Sequence, residues 1–183
     1  DVRWRQLVSD LRSRYKGSLI GVAVIDSDRE FVPEWLESVD AIYVIFSPAL
    51  SNLETSNVTQ LRSQFDALLT EKVKPIADQY GKPILLGISY PSNMLASDGY
   101  TLSSQNRITL PTDVSGVDKN LQVQSRIYNA AILSASSVDW IKGFFSRGYY
   151  PYVTLQDASS SIYKKPASDI LWFWYHFLLN KSS

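Results

Sequence analysis

Cysteine is absent from the 183 residues, and histidine occurs once, at His176. With no thiol there is no disulfide and no thiolate metal site. With one imidazole and no cysteine, a zinc centre is excluded as a working hypothesis, and no metal or other cofactor is expected. An excess of charge is missing as well. Eighteen Lys and Arg balance eighteen Asp and Glu, so the formal net charge is zero. A general nucleic-acid binder needs a basic field to engage phosphates, and an anionic membrane surface asks for the same. No apolar run approaches the length of a membrane span, and the opening residues are not expected to act as a signal peptide. The chain opens on Asp1-Val2-Arg3-Trp4 without a starting Met, so it is expected to begin part-way through a longer product.

What is present is ordinary apolar content, 45 %, and a high aromatic content, 13 %, including 11 Tyr and 5 Trp. Tyr and Trp bury large areas while keeping a polar handle, which suits a core. The same side chains suit flat, hydroxylated ligands such as sugars. The length is enough for one domain with a substantial core. Two N-glycosylation sequons, Asn57-Val58-Thr59 and Asn180-Lys181-Ser182, are tripeptides common by chance and carry little weight.

Hydrophobic spacing divides the chain into alternating elements. Trp4, Leu7, Val8, Leu11 and Tyr15 recur at helical spacing, and Lys16-Gly17 stops that helix. Residues 19–25 form an unbroken apolar run, as in strands buried on both faces of a parallel sheet. Residues 31–39 read as a short helix, and residues 40–46 as a second buried strand ending at Ser47-Pro48. The spacing of Val58, Leu61, Phe65, Leu68, Leu69, Val73 and Ile76 predicts a long helix with a kink or break near Pro75. A third strand covers 84–88. A long polar segment, 89–119, reads as a loop, and loops of that length in compact domains are functional or disordered. A helix over 121–135, capped by Asp118 or Asn120, a short strand over 140–145, a loop over 149–165 and a last helix starting at Pro166 complete the order. Such alternation implies parallel βα units with right-handed crossovers in one domain over 1–183.

Several phrases together resemble barrel β-mannanase-type retaining glycoside hydrolases. They are Trp4-x2-Leu7-x3-Leu11-x3-Tyr15-x-Gly17, Trp35-Leu36-x3-Asp40-Ala41-Ile42-Tyr43, Tyr80-Gly81-Lys82-Pro83-Ile84, Gln124-x3-Tyr128-x-Ala130, Trp140-x2-Gly143-Phe144 and Tyr163-x-Lys165-Pro166-Ala167. Each is weak alone; their order and spacing cover nearly the whole chain. The resemblance implies that the four main strands are the fifth to eighth of a TIM (β/α)8 barrel. A complete barrel usually takes about 250 residues, so this chain is expected to form the C-terminal half. A half barrel leaves two strand edges open, an aggregation hazard. The missing N-terminal half is therefore expected from another fragment or a pairing second copy. The resemblance also suggests a secreted or cell-surface location and an oligo- or polysaccharide ligand.

Retaining glycosidases use two carboxyl groups roughly 5 Å apart. The resemblance places the acid/base after the fourth strand, upstream of Asp1. It places the nucleophile in a pattern like E-I-G-Y at the end of the seventh strand, where this chain has Gly87-Ile88-Ser89-Tyr90. The carboxylate position is thus Gly87, or Ile88 if the register slips by one. Other carboxylates at strand ends are Asp26, Asp28 and Asp157, candidates for catalysis (Asp26, Asp157) or hydroxyl binding (Asp28), with turn and capping roles as the plainer reading. Ser47, Tyr90, Arg147, Tyr149 and Tyr150 complete the candidate rim. Tyr43 lies within a strand and reads as core, and Phe145 and Tyr149 read as packing or as sugar-stacking rings. His176 reads as structural. The adjacent Trp172, Phe173, Trp174 and Tyr175 cannot share one helix face, so some are expected to meet a loop, the missing half or another chain. Three functions remain open: a glycan-binding barrel with a degenerate site, a structural or interaction scaffold, and an enzyme that takes carboxylates from the missing half.

Overall fold

The computed structural model describes residues 2–27, 29–99, 119–149 and 158–181. Five helices are named here: α1 (Val2–Arg14), α2 (Val58–Leu68), α3 (Lys74–Tyr80), α4 (Leu121–Ala135) and α5 (Pro166–Lys181). The strands are β1 (Ile20–Asp26), β2 (Glu30–Phe31), β3 (Ala41–Ser47), β4 (Ile84–Ile88) and β5 (Ile141–Ser146). They form one sheet in the order β2-β1-β3-β4-β5. The pairings β1–β3, β3–β4 and β4–β5 are parallel, and only β2 runs antiparallel to its neighbour β1. The mixed α/β architecture with a mainly parallel sheet is the one implied by the alternating elements.

Three local features depart from the sequence reading. The segment 31–39 is not an α-helix: Pro33 holds extended backbone, and a 3-10 turn over Glu34–Ser38 follows it. Glu30 and Phe31 belong to β2, which pairs back on Val24 and Ile25 after a tight turn closed by Asp26 N–H donating to Arg29 O at 2.9 Å. The long polar segment includes a second 3-10 helix, Met94–Asp98, capped by the Asn93 side chain. At Pro75 the helix does not break. Proline lacks the N–H that an α-helical ladder needs, and a π-turn over Leu69–Val73 carries α2 into α3 ahead of it. The start of α2 is held by a capping box between Asn57 and Gln60, and α3 ends at Gly81 with φ 60°. Asn120, one of the two capping candidates, accepts from Val123 N–H at the start of α4.

Strand side chains alternate between two faces. Ile42, Val44 and Phe46 of β3 and Ile84, Leu86 and Ile88 of β4 are buried with Leu61, Phe65, Ile127 and Ile132 of the helices. On the outward face of β1, Gly21 lets Leu36, Trp35 and Val39 pack directly on the strand. The opposite, concave face carries Val22, Tyr43, Leu85, Gly87 and Phe145. It is less covered: Ile20, Val22 and Phe145 are exposed. In β5 the register skips Lys142, so Leu85 pairs with Gly143; this bulge keeps Phe145 on the concave face and Ser146 on the helix side.

Candidate functional site

In parallel α/β sheets, sites are built where strands end at their C-termini. Here the concave row of strand ends consists of Asp26, Ser47, Ser89 and Arg147. Asp26 pairs with Ser47 across β1 and β3. Ser89 donates its N–H to Ser47 Oγ at 2.8 Å, and Arg147 donates its N–H to Ile88 O at 2.8 Å. The row is therefore stitched to its neighbours by the chain itself.

The candidate residues fall into distinct places. Asp26 is buried, and its Oδ2 accepts from Arg29 Nη2 at 3.0 Å. Ser47 is wholly buried and spends its Oγ on Ser89. Tyr90 does not face the cleft: it is fully buried, its hydroxyl donates to Pro48 O at 2.8 Å, and its ring meets Phe65 edge-on at 6.2 Å. Ser89 takes the concave position, and alternation sends Tyr90 to the helix side. Burial pushes the Tyr90 phenol well above its ordinary pKa. Arg147 is half-buried, whereas Tyr149 is exposed and stacks edge-on against Tyr163 at 5.0 Å. Asp28, Asp157 and Tyr150 lie outside the described residues.

One layer below the rim stands Tyr43. It is half-buried on the concave face rather than in the core. Its ring meets Phe145 edge-on at 5.9 Å, and its hydroxyl lies over Gly87, so closely that a Cβ at residue 87 would overlap the Tyr43 oxygen and stand 2.7 Å from Cε2. Burial raises the Tyr43 pKa, and the Arg147 charge opposes that rise.

Gln124 and Lys165 stood in the sequence only as parts of family-like phrases, with no sign that they brace this rim. Gln124, fully buried on α4, donates from Nε2 to Tyr90 O at 2.8 Å and to Ser161 O at 3.4 Å. Lys165 is buried and donates from Nζ to Ser92 Oγ at 3.0 Å and to Ser159 O at 2.9 Å. Asn93 donates to Ala158 O at 2.8 Å. The hint available was the density of Ser, Asn and Lys in two otherwise loop-like stretches. Among the described residues no group of three or more His, Cys, Asp or Glu could hold a metal ion, and no helix is long and apolar enough to cross a membrane.

No protein-family model and no curated protein matches the chain. Solved structures do. A GH113 β-1,4-mannanase in a complex is similar at TM-score 0.65 and 19 % identity, with 94 % of this chain and 50 % of that chain covered. The GH113 β-mannanase AaManA from Alicyclobacillus acidocaldarius, in complex with ManMIm, is similar at TM-score 0.62 and 18 % identity, over 96 % of this chain and 50 % of that one. This is the fold of half a (β/α)8 barrel. The chain spans about half the length of the structures it matches, 50 % in each case.

Exposed apolar side chains gather on the two end helices of this half barrel. α1 buries only Val8 and leaves Trp4, Leu7 and Leu11 exposed, with Tyr15 exposed just after it, and α5 leaves Trp172, Phe173, Phe177 and Leu179 exposed. Both are the outer helices of the four-unit arc. A cleft of about 490 Å³ between Phe145, Ser146, Tyr149, Leu171, Trp172 and Tyr175 lies along β5, the strand that ends the sheet. His176 Nδ1 is 2.8 Å from Trp172 O, and the two rings lie 4.2 Å apart, a local helix contact away from the rim.

Proposed function

We propose that this half barrel contributes the strand-end wall of a glycan-binding cleft, and that its catalytic apparatus is degenerate or rearranged. The observation that carries the reading is the composition of the concave row and the layer beneath it. Of Asp26, Ser47, Ser89 and Arg147, only Asp26 is a carboxylate, and it is already paired with Arg29. Residue 87 is Gly, with Tyr43 over it. Two carboxyl groups set for retaining hydrolysis are not assembled from this row. The half-buried Tyr43 hydroxyl and Arg147 guanidinium, on the same face as the exposed Phe145 ring, are polar groups of the kind that orient a ligand against an aromatic surface. The structural neighbours are named as β-1,4-mannanases, which makes a β-linked mannan the first ligand to try.

The other four strands come, in this reading, from a complementary half, and the assembled protein is secreted or displayed at a cell surface. The test is a glycan panel on the assembled protein, with binding and reducing-end release both recorded. Binding without release supports the reading. Neither binding nor release across the panel overturns it. Release that survives Asp26→Asn would place the chemistry entirely outside this row.

A second reading, a non-catalytic scaffold for partner proteins, is favoured by the aromatic face of α5. Trp172 is 64 % exposed and Leu179 69 % exposed, more than a closed surface helix ordinarily shows. A monomeric, partner-free native state would count against it.

A further inference from the structure

Tyr43 and Gly87 interlock in a way that only the tertiary structure shows. Gly87 is buried on β4, and on the concave side its Cα faces the Tyr43 phenol. Any side chain at residue 87 would require the phenol to move. The absence of a carboxylate there is thus matched by a polar group already standing in the space. The hydroxyl takes no hydrogen bond from another described residue, although the ring is held against Phe145. A phenol is protonated at neutral pH, and burial raises the Tyr43 pKa further, so the hydroxyl can both donate and accept. Phe145 is 48 % exposed and presents an apolar face next to it, and Arg147 lies close enough for its charge to act on the phenol.

Resting on the glycan-binding reading, we propose that Tyr43 is the central ligand contact of the cleft: its hydroxyl, seated over Gly87, holds a hydroxyl group of a neutral hexose unit whose ring lies against Phe145. A protonated phenol in this position binds without attacking, so the layer that would carry a nucleophile serves recognition instead. The arrangement needs Gly at 87 for steric reasons, independently of whether catalysis occurs elsewhere in the assembly.

Two measurements on the assembled protein test this. The first is calorimetric binding of β-1,4-mannohexaose to the wild type, Tyr43→Phe and Phe145→Ala. Tyr43→Phe keeps the ring and removes one hydrogen bond, so affinity is expected to fall about tenfold with an unchanged unfolding midpoint. Wild-type binding with no change in Tyr43→Phe would overturn the inference and leave the glycan reading standing. No binding by the wild type to this or any other glycan of the panel would overturn both. The second is a stability cycle that needs no ligand. Gly87→Ala is expected to lower the unfolding midpoint, and in a Tyr43→Ala background the same change is expected to have little effect. Equal losses in both backgrounds would show that the phenol does not occupy the space over residue 87.

Discussion

α1 and α4 are both amphipathic helices of one chain, yet they are finished to different degrees. α4 buries ten of its fifteen residues, packing on α2 and α5 and reaching the rim through Gln124. α1 buries one residue, Val8, and is attached by a Trp4–Trp35 stack at 5.6 Å, by Arg5 to Glu34 and Glu37, and by Arg12 to Asp40. Exposed ion pairs of this kind contribute little, so α1 holds its place with weak links while its apolar stripe faces outward. The inner units of the arc hold most of the buried apolar side chains, and the outer helices hold much of the exposed apolar surface.

The contrast can be broken most sharply in the core. Phe65→Ala removes a fully buried ring packed against Phe46 and Tyr90. Urea denaturation should show a loss of about 3–5 kcal/mol. Next comes the start of α2: Asn57→Ala destroys the capping box with Gln60 and should cost about 1 kcal/mol in the same assay. At the α1 edge, the Arg12 guanidinium and the Leu19 N–H hold the Asp40 carboxyl below its usual range. A carboxyl depressed in the folded state contributes stability above its unfolded pKa of about 3.9. That contribution disappears as pH falls through the lower folded value. Asp40→Asn should therefore reduce stability slightly at neutral pH and flatten the acid limb, read by thermal melts at a series of pH values. The smallest effect is expected at Leu11→Ala, within about 0.5 kcal/mol for an exposed site, when this chain is measured alone. A clearly larger loss in the assembly with its complementary half would show that α1 is an interface.

Most of the frame was legible in the sequence because parallel strands buried on both faces leave continuous apolar runs, and 19–25, 40–46 and 84–88 each end within a residue or two of β1, β3 and β4. That same continuity hides which side chain faces which way. Tyr43 read as core because nothing in Ala41-Ile42-Tyr43-Val44 marks the concave side, and Tyr90 read as a rim residue because it follows the strand. Their true places depend on one pleat: Gly87 and Ser89 inward, Ile88 and Tyr90 outward. The two-residue β2 carries no run long enough to detect, and the roles of Gln124 and Lys165 rest in large part on contacts with Tyr90 and Ser92, 34 and 73 positions away.

β2 has a bearing on how a barrel could be sealed. A strand has two hydrogen-bonding edges, and at Val24 and Ile25 both are engaged, one by β3 and the other by β2. A strand arriving to close the wall can zip only along residues 20–23, a seam of about 13 Å at 3.3 Å per residue. Above it the wall must part. The mouth would then open sideways through a notch beside Asp26, as in a saddle rather than a closed well.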